Sequence, residues 1–244
     1  MSAPLAALIA VIGSITLVLA GCVDDDPASD TPSPTPHQTS PPTPDKTKPT
    51  PPGTNPSTPE ETKPAPRDTA PRTDPAALTI PAIGVRELRV VPYEGTTDDW
   101  PGTRIQNRGV AASPYGDRGG VGPGETGNYL VTAHRLSAGG PLRDLPALGK
   151  GDKVHVTSGG TIYEYEITET RETSFRSQSS LAAQRAAVPG SPGERPVAPM
   201  ITISTCATPE DNADGNFWRD DKGNPEHRID KVGVLTSERD APTP

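Results

Sequence analysis

The stretch Met200-Ile201-Thr202-Ile203-Ser204-Thr205-Cys206 alternates apolar and hydroxyl residues up to a terminal cysteine. Alternation with a period of two marks a strand with one face on a core. Pro209 follows closely, and a proline cannot donate to a ladder. Cys206 is therefore expected at a strand end, at the mouth of a loop. The chain has 2 cysteines, and the other, Cys22, closes a targeting segment. An exported domain with one cysteine has no internal disulfide to make with it. Most free cysteines are small buried hydrophobes. A nucleophilic one needs a partner that favours its thiolate.

Outward from this strand, the same patterning recurs. Leu78-Thr79-Ile80-Pro81-Ala82-Ile83-Gly84-Val85 reads as a strand at an edge, because of Pro81. Leu88 to Val91 reads as a second strand, and Tyr93 to Gln106 as irregular. Gly116 to Gly127 is a glycine-rich loop. Asn128 to Ala133 is more apolar, as in a more deeply buried strand, and ends at His134-Arg135. Pro141 to Leu148 reads as a short helical turn, opened by Pro141 and disturbed by Pro146. Lys153–Thr157 and Thr161–Thr168 pair as a hairpin around Ser158-Gly159-Gly160. Ser179 to Ala187 is a short helix stopped by Pro189-Gly190. Pro209 to His227 is a polar loop, and Ile229 to Leu235 the last strand. Many short strands with little helix predict an all-β barrel or sandwich.

The composition divides the chain. Of its 32 prolines, 16 fall in residues 23–76, a stretch with no Phe, Trp or Tyr. All 9 aromatic residues lie between Tyr93 and Trp218. The expected organisation is an apolar head (1–22), a disordered Pro/Thr-rich tether (23–76) and one globular domain (77–244). A net charge of −8 with no Lys/Arg cluster argues against nucleic acid as a partner.

The head carries no charged side chain from Pro4 to Ala20. Its last four residues, Leu19-Ala20-Gly21-Cys22, resemble the lipobox of bacterial lipoproteins, in which the cysteine is lipidated and becomes the new N-terminus. Met1 to Pro4 lack the usual Lys or Arg, which an uncleaved membrane anchor or a mis-chosen start would also explain. Either reading exports the domain and ties it to a membrane through its N-terminal end. The tether repeats Thr/Ser-Pro pairs that favour extended polyproline II. At roughly 3.1 Å per residue it would reach at most about 170 Å, a spacer suited to crossing a cell wall. His37 lies in it as a solvated residue.

Chemistry is expected in the globular part. His155 alternates with Val154 and Val156, so it belongs on the polar face of its strand. His227 lies beside Arg228 in the loop ahead of the last strand. His134 ends an apolar strand, as Cys206 does, and two strand ends meeting at one barrel rim bring thiol and imidazole together. Acyl transfer also needs a donor for the developing oxyanion. Arg228, at the start of the last strand, reaches back to the same rim, and its planar charged fork suits that task.

These segments together resemble the sortases, specifically class E of high-GC Gram-positive bacteria, from about Leu78 to Leu235. Leu78 to Val85 resembles the first strand of that family. Gly127-Asn128-Tyr129-Leu130-Val131-Thr132-Ala133-His134-Arg135 resembles its histidine block. Pro141-Leu142-Arg143-Asp144-Leu145 and Lys150-Gly151-Asp152-Lys153-Val154 resemble the segment that follows. Ile201 to Cys206 resembles the cysteine strand and His227-Arg228-Ile229 the arginine strand. The resemblance implies a closed eight-stranded β-barrel in which Cys206 is the nucleophile, His134 the catalytic histidine and Arg228 the transition-state arginine. Ala133 stands where the family usually has glycine. The 21 residues between Cys206 and Arg228 are more than is usual, and include Asn216-Phe217-Trp218-Arg219. Arg219 thereby rivals Arg228, which is preferred because it directly precedes an apolar strand. Phe217 and Trp218 are expected to pack over the cleft or to staple the loop.

What the resemblance implies chemically is transpeptidation. The thiolate would attack the Thr–Gly bond of a C-terminal sorting signal similar to L-P-x-T-G, or L-A-x-T-G for class E. An amine of a cell-wall precursor would release the thioacyl enzyme. Its partners would be secreted proteins bearing that signal. No cofactor is required, and the sequence holds no cluster of metal-ligating residues. Two rival readings stand beside it. An L,D-transpeptidase usually carries its cysteine after a Ser-x-Gly run, unlike Ile203-Ser204-Thr205. A catalytically dead sortase-like binding module would share the fold.

Overall fold

The computed structural model describes residues 72–242. The apolar head, Cys22 and nearly all of the tether lie outside the described residues. Eight strands close into one barrel: β1 (Ala76–Ile80), β2 (Val85–Glu94), β3 (Ala111–Tyr115), β4 (Gly127–Thr132), β5 (Lys153–Ser158), β6 (Thr161–Ser174), β7 (Pro199–Cys206) and β8 (His227–Asp240). Around the barrel their order is β1-β2-β3-β4-β7-β8-β6-β5. Three short helices decorate it: α1 (Trp100–Gln106), α2 (Gln178–Arg185) and α3 (Thr208–Ala213). The strand pattern left barrel and sandwich open; the closed eight-stranded barrel is the architecture that the family resemblance implied. β1 begins at Ala76, one residue ahead of the boundary expected at Ala77.

Local chemistry explains most element ends. Pro81 converts the end of the first predicted strand into a short 3-10 turn, Pro81–Ile83, closed by Gly84 at φ 70°. The chain then re-enters the sheet as β2, longer than the strand expected there. The segment read as irregular holds α1, because Asp99 caps it by accepting from the Gly102 N–H at 2.8 Å. Ser177 caps α2 in the same way, accepting from the Ser180 N–H at 3.1 Å. The loop after Cys206 is in part the helix α3. β3, with its small residues and Pro114, has no alternating signature and escapes the sequence reading.

Two strand pairs are parallel, β2 with β3 and β4 with β7. Parallel neighbours require covered faces. On β4 and β7 the odd-numbered residues fill the barrel: Tyr129, Val131, Ala133, Ile201 and Ile203 belong to the apolar core. The Ala133 methyl is fully buried there, so the barrel accommodates it. Even-numbered residues face outward, yet from Asn128 to Thr132 and from Thr202 to Cys206 they too are buried, because α2 and the segment before α1 lie over this face. The hydroxyl face of β7 is therefore a second, polar buried layer rather than a solvated one. Within it Thr202 donates to Asn128 Oδ1 at 2.8 Å, and Gln184 of α2 donates to Ser204 Oγ at 3.2 Å. Such a layer is tolerated because its members satisfy one another.

Candidate active site

Register places the site before any side chain is considered. β4 runs parallel to β7 with Thr132 level with Ser204. The pairing continues beyond β4, since the Ala133 N–H donates to Ser204 O at 3.2 Å and the Thr205 hydroxyl donates to Ala133 O at 2.9 Å. Two residues on from the Thr132–Ser204 pair, His134 stands beside Cys206. β8 runs antiparallel to β7 with Cys206 opposite Arg228. His134, Cys206 and Arg228 thus occupy neighbouring positions at the ends of three adjacent strands. All three belong to the outward row, at the end of the buried polar layer.

Two of the three side chains meet directly. Arg228 Nη1 donates to Cys206 Sγ at 3.0 Å. The guanidinium is 2 % exposed and lies 4.7 Å from the centre of the Phe175 ring, which covers its face. Its other amino group, Nη2, donates to Asp98 Oδ1 in a buried ion pair. Asp98 Oδ2 and Arg228 Nε have no hydrogen-bond partner among the described residues. His134 is half-buried, and its Nε2 lies 2.7 Å from Asn107 Oδ1. A carbonyl oxygen can only accept, so in the neutral ring Nε2 carries the proton and Nδ1 is left free. Arg135 reaches back from beyond β4, donating to Cys206 O at 3.4 Å while paired with Glu210 of α3.

Electrostatics set the resting protonation. Burial pushes the Cys206 thiol above its ordinary range; Arg228 and Arg135 pull it down, while Asp98 and Asp220 push it further up. Burial, and then the charge of Arg228, hold the His134 imidazole below its ordinary range. Both shifts favour the uncharged forms, a thiol at Cys206 and a neutral imidazole at His134.

Other expected residues fall elsewhere. Arg219 donates to Trp218 O and to Asn212 Oδ1, both at 2.6 Å, so it braces the β7–β8 loop. Phe217 is 70 % exposed and Trp218 lies against Arg176; the aromatic ring on the site is Phe175 instead. His155 pairs with Glu164 on the outer face of β5, at 3.2 Å. His227 opens β8 rather than ending the loop, and its Nδ1 lies 2.6 Å from Asp211 Oδ1. Sequence reasoning missed Asp98, Asn107 and Phe175. Asn107 lies at the C-terminal end of α1 and Asp98 in the turn before it, and neither belongs to a patterned strand.

A sortase-domain family model matches residues 78–217, more than half of the chain. The chain belongs to the sortase family. His134 and Cys206 fall inside the matched stretch, whereas Arg228 lies beyond it. Solved structures of the same fold include the SrtA sortase from Actinomyces oris, 17% identical, with a TM-score of 0.52 over 74% of this chain and 89% of that one. Sortase E1 from Streptomyces coelicolor, solved with a tripeptide in the active site, is 22% identical, with a TM-score of 0.50 over 70% of this chain and 93% of that one. The SrtF sortase from Corynebacterium diphtheriae is 18% identical, with a TM-score of 0.50 over 75% of this chain and 95% of that one. A search of curated proteins returns no match. Membership makes this sortase a cysteine transpeptidase in general terms, acting on proteins that carry a sorting signal and on amine acceptors.

Proposed function

We propose that this sortase is of class E character and cleaves an L-P-x-T-G-like signal, with L-A-x-T-G preferred, between Thr and Gly. The observation that carries the reading is the 3.0 Å contact of Arg228 with the Cys206 sulfur, beside His134 in register. In this reading the Cys206 thiolate attacks the Thr carbonyl carbon, and the oxyanion forms against Arg228. The C–N bond then breaks, with the His134 imidazolium giving its proton to the leaving glycine amine. That leaves a thioester and a neutral imidazole. An incoming cell-wall amine repeats the steps in reverse order, and His134 takes its proton. Because the reactive ion pair is a minor form, turnover is modest.

The anchor belongs to the same proposal. Leu19-Ala20-Gly21-Cys22 would be the processing site, with Cys22 lipidated and the enzyme held on the membrane facing the wall. The Pro/Thr-rich tether would carry the barrel outward. Labelling with a clickable palmitate, lost in Cys22→Ala, tests it. Activity is tested by incubating peptides ending in L-P-x-T-G or L-A-x-T-G with the enzyme. The expected result is cleavage at Thr–Gly and a thioester adduct on Cys206 by mass spectrometry. No cleavage of either peptide, with the fold intact, would favour a binding module.

A further inference from the structure

Asp98 reaches Arg228 from a turn that is built with unusual care. The Tyr93 hydroxyl donates to Thr96 O at 2.6 Å, and Arg185 Nη1 donates to Thr96 Oγ1 at 3.0 Å. Thr97 Oγ1 donates to Gln184 Oε1 at 3.0 Å, and the same Gln184 side chain donates to Asp230 at 3.0 Å. Asp230 lies two residues along β8 from Arg228, so the turn is keyed to the strand that carries the arginine. Asp99 then caps α1. Between these fixed points Asp98 adopts φ 65°, a left-handed conformation uncommon for a residue other than glycine. Such backbone persists where its surroundings over-determine it, and it concentrates at functional sites. Here it delivers a carboxylate, 2 % exposed, onto Nη2 of an equally buried guanidinium.

The geometry points to Asp98 as a positioning residue of this sortase: its carboxylate fixes the Arg228 guanidinium so that Nη1 stays on the Cys206 sulfur. The inference rests on reading Cys206 and Arg228 as nucleophile and oxyanion donor. A guanidinium is a rigid fork, so anchoring one amino group orients the other. Asp98 also shares the arginine's charge with the thiolate. Charged groups facing the arginine are Asp98, Asp230 and Asp220, together with Cys206 itself. Those acting on the sulfur are Arg228, Arg135, Asp98 and Asp220, and His134 ends the neighbouring strand. Of the carboxylates among the described residues, only Asp98 holds the guanidinium directly. Removing it leaves the thiolate as the only anion bonded to Arg228, which makes the thiolate easier to form. It also frees the fork to turn away from the developing oxyanion. Thiolate formation and turnover should therefore move in opposite directions.

The test needs two readouts. The rate of Cys206 alkylation by iodoacetamide against pH requires no peptide, and kcat and KM follow from peptide cleavage. Asp98→Asn keeps the shape and tolerates the positive φ. Its alkylation profile should shift to lower pH, while kcat falls about 10²-fold with KM little changed. Asp98→Gly, free of backbone strain, should do the same and carries the test if the asparagine variant unfolds. A folded variant whose alkylation profile matches the parent, or whose kcat is undiminished, overturns the proposal. If the parent cuts no sorting peptide, the functional reading fails, and the alkylation profile still decides whether Asp98 governs the sulfur through Arg228.

Discussion

Arg228 Nη1 stands 3.0 Å from Cys206 Sγ, opposite it in the β7–β8 ladder, and no other arginine side chain among the described residues bonds the sulfur. Arg219 gives its donors to Trp218 O and Asn212 instead. Arg228→Lys keeps the charge but loses the fork. Its kcat/KM for a sorting peptide should fall about 10²–10³-fold, the usual cost of one oxyanion donor. Arg219→Ala should stay within a few-fold of the parent. Peptide cleavage followed by chromatography separates the two, and the reverse ranking would transfer the role to Arg219.

Cys206→Ala should abolish both peptide cleavage and the acyl-enzyme. Cys206 is the only cysteine in the described domain, so nothing replaces it. Cys206→Ser should be nearly as inactive, because a hydroxyl beside a half-buried imidazole is a much poorer nucleophile. Intact-mass measurement after mixing with peptide checks this. An adduct on the alanine variant would refute the nucleophile assignment.

The pH dependence follows from the two shifted groups. Cys206 is raised, by burial first, and His134 is lowered, by burial and then Arg228. The reactive thiolate–imidazolium form keeps a constant small share between the two pKa values. It is lost below that of His134, where the thiol and imidazolium are both protonated, and above that of Cys206, where the imidazole is neutral. The kcat/KM profile should be a broad bell, its acid limb moved below the ordinary imidazole range and its alkaline limb above the ordinary thiol range. A thiolate absorbance near 240 nm already saturated at neutral pH would contradict it.

His227 ties β8 to α3, donating its backbone N–H to Asp211 Oδ2 at 3.0 Å and placing Nδ1 2.6 Å from Oδ1. Burial disfavours its charge, but the Asp211 hydrogen bond and the charges of Glu172, Asp211 and Glu226 outweigh this and raise its pKa. A pKa raised in the folded state stabilises most at pH below the unfolded value. That contribution fades as pH rises through the folded value. His227→Gln should therefore lower Tm at pH 5.5 more than at pH 9, by a small amount because the ring is partly solvated. Equal losses at both pH values would show that the ion pair contributes nothing.

Asp98→Asn, by contrast, should separate thiol reactivity from turnover, since the carboxylate acts on the sulfur through the arginine. The pairing it tests, Asp98 on Arg228 Nη2, joins residues far apart in the chain.

The sequence by itself determined the strands that alternate, the all-β class and the three residues at strand ends. Period-two patterning is local: Ile201, Ile203, Val154 and Val156 announce a core face whatever lies across from them. Because side chains alternate in register, Cys206, His134 and Arg228 could be read as ending their strands before any partner strand was known. The tertiary structure alone decided what surrounds them. β3 was illegible because its small residues carry no pattern, and α1 because Pro101 and Gly102 mask a helix that depends on its Asp99 cap. Thr202 and Ser204 looked like a solvated face and are buried, because α2 folds back over them. Asp98, Asn107 and Phe175 sit in turns or near element ends, where local sequence says nothing about burial. Asp98 becomes the partner of Arg228 only when barrel closure brings the turn before α1 across β8, and that proximity is a property of the fold.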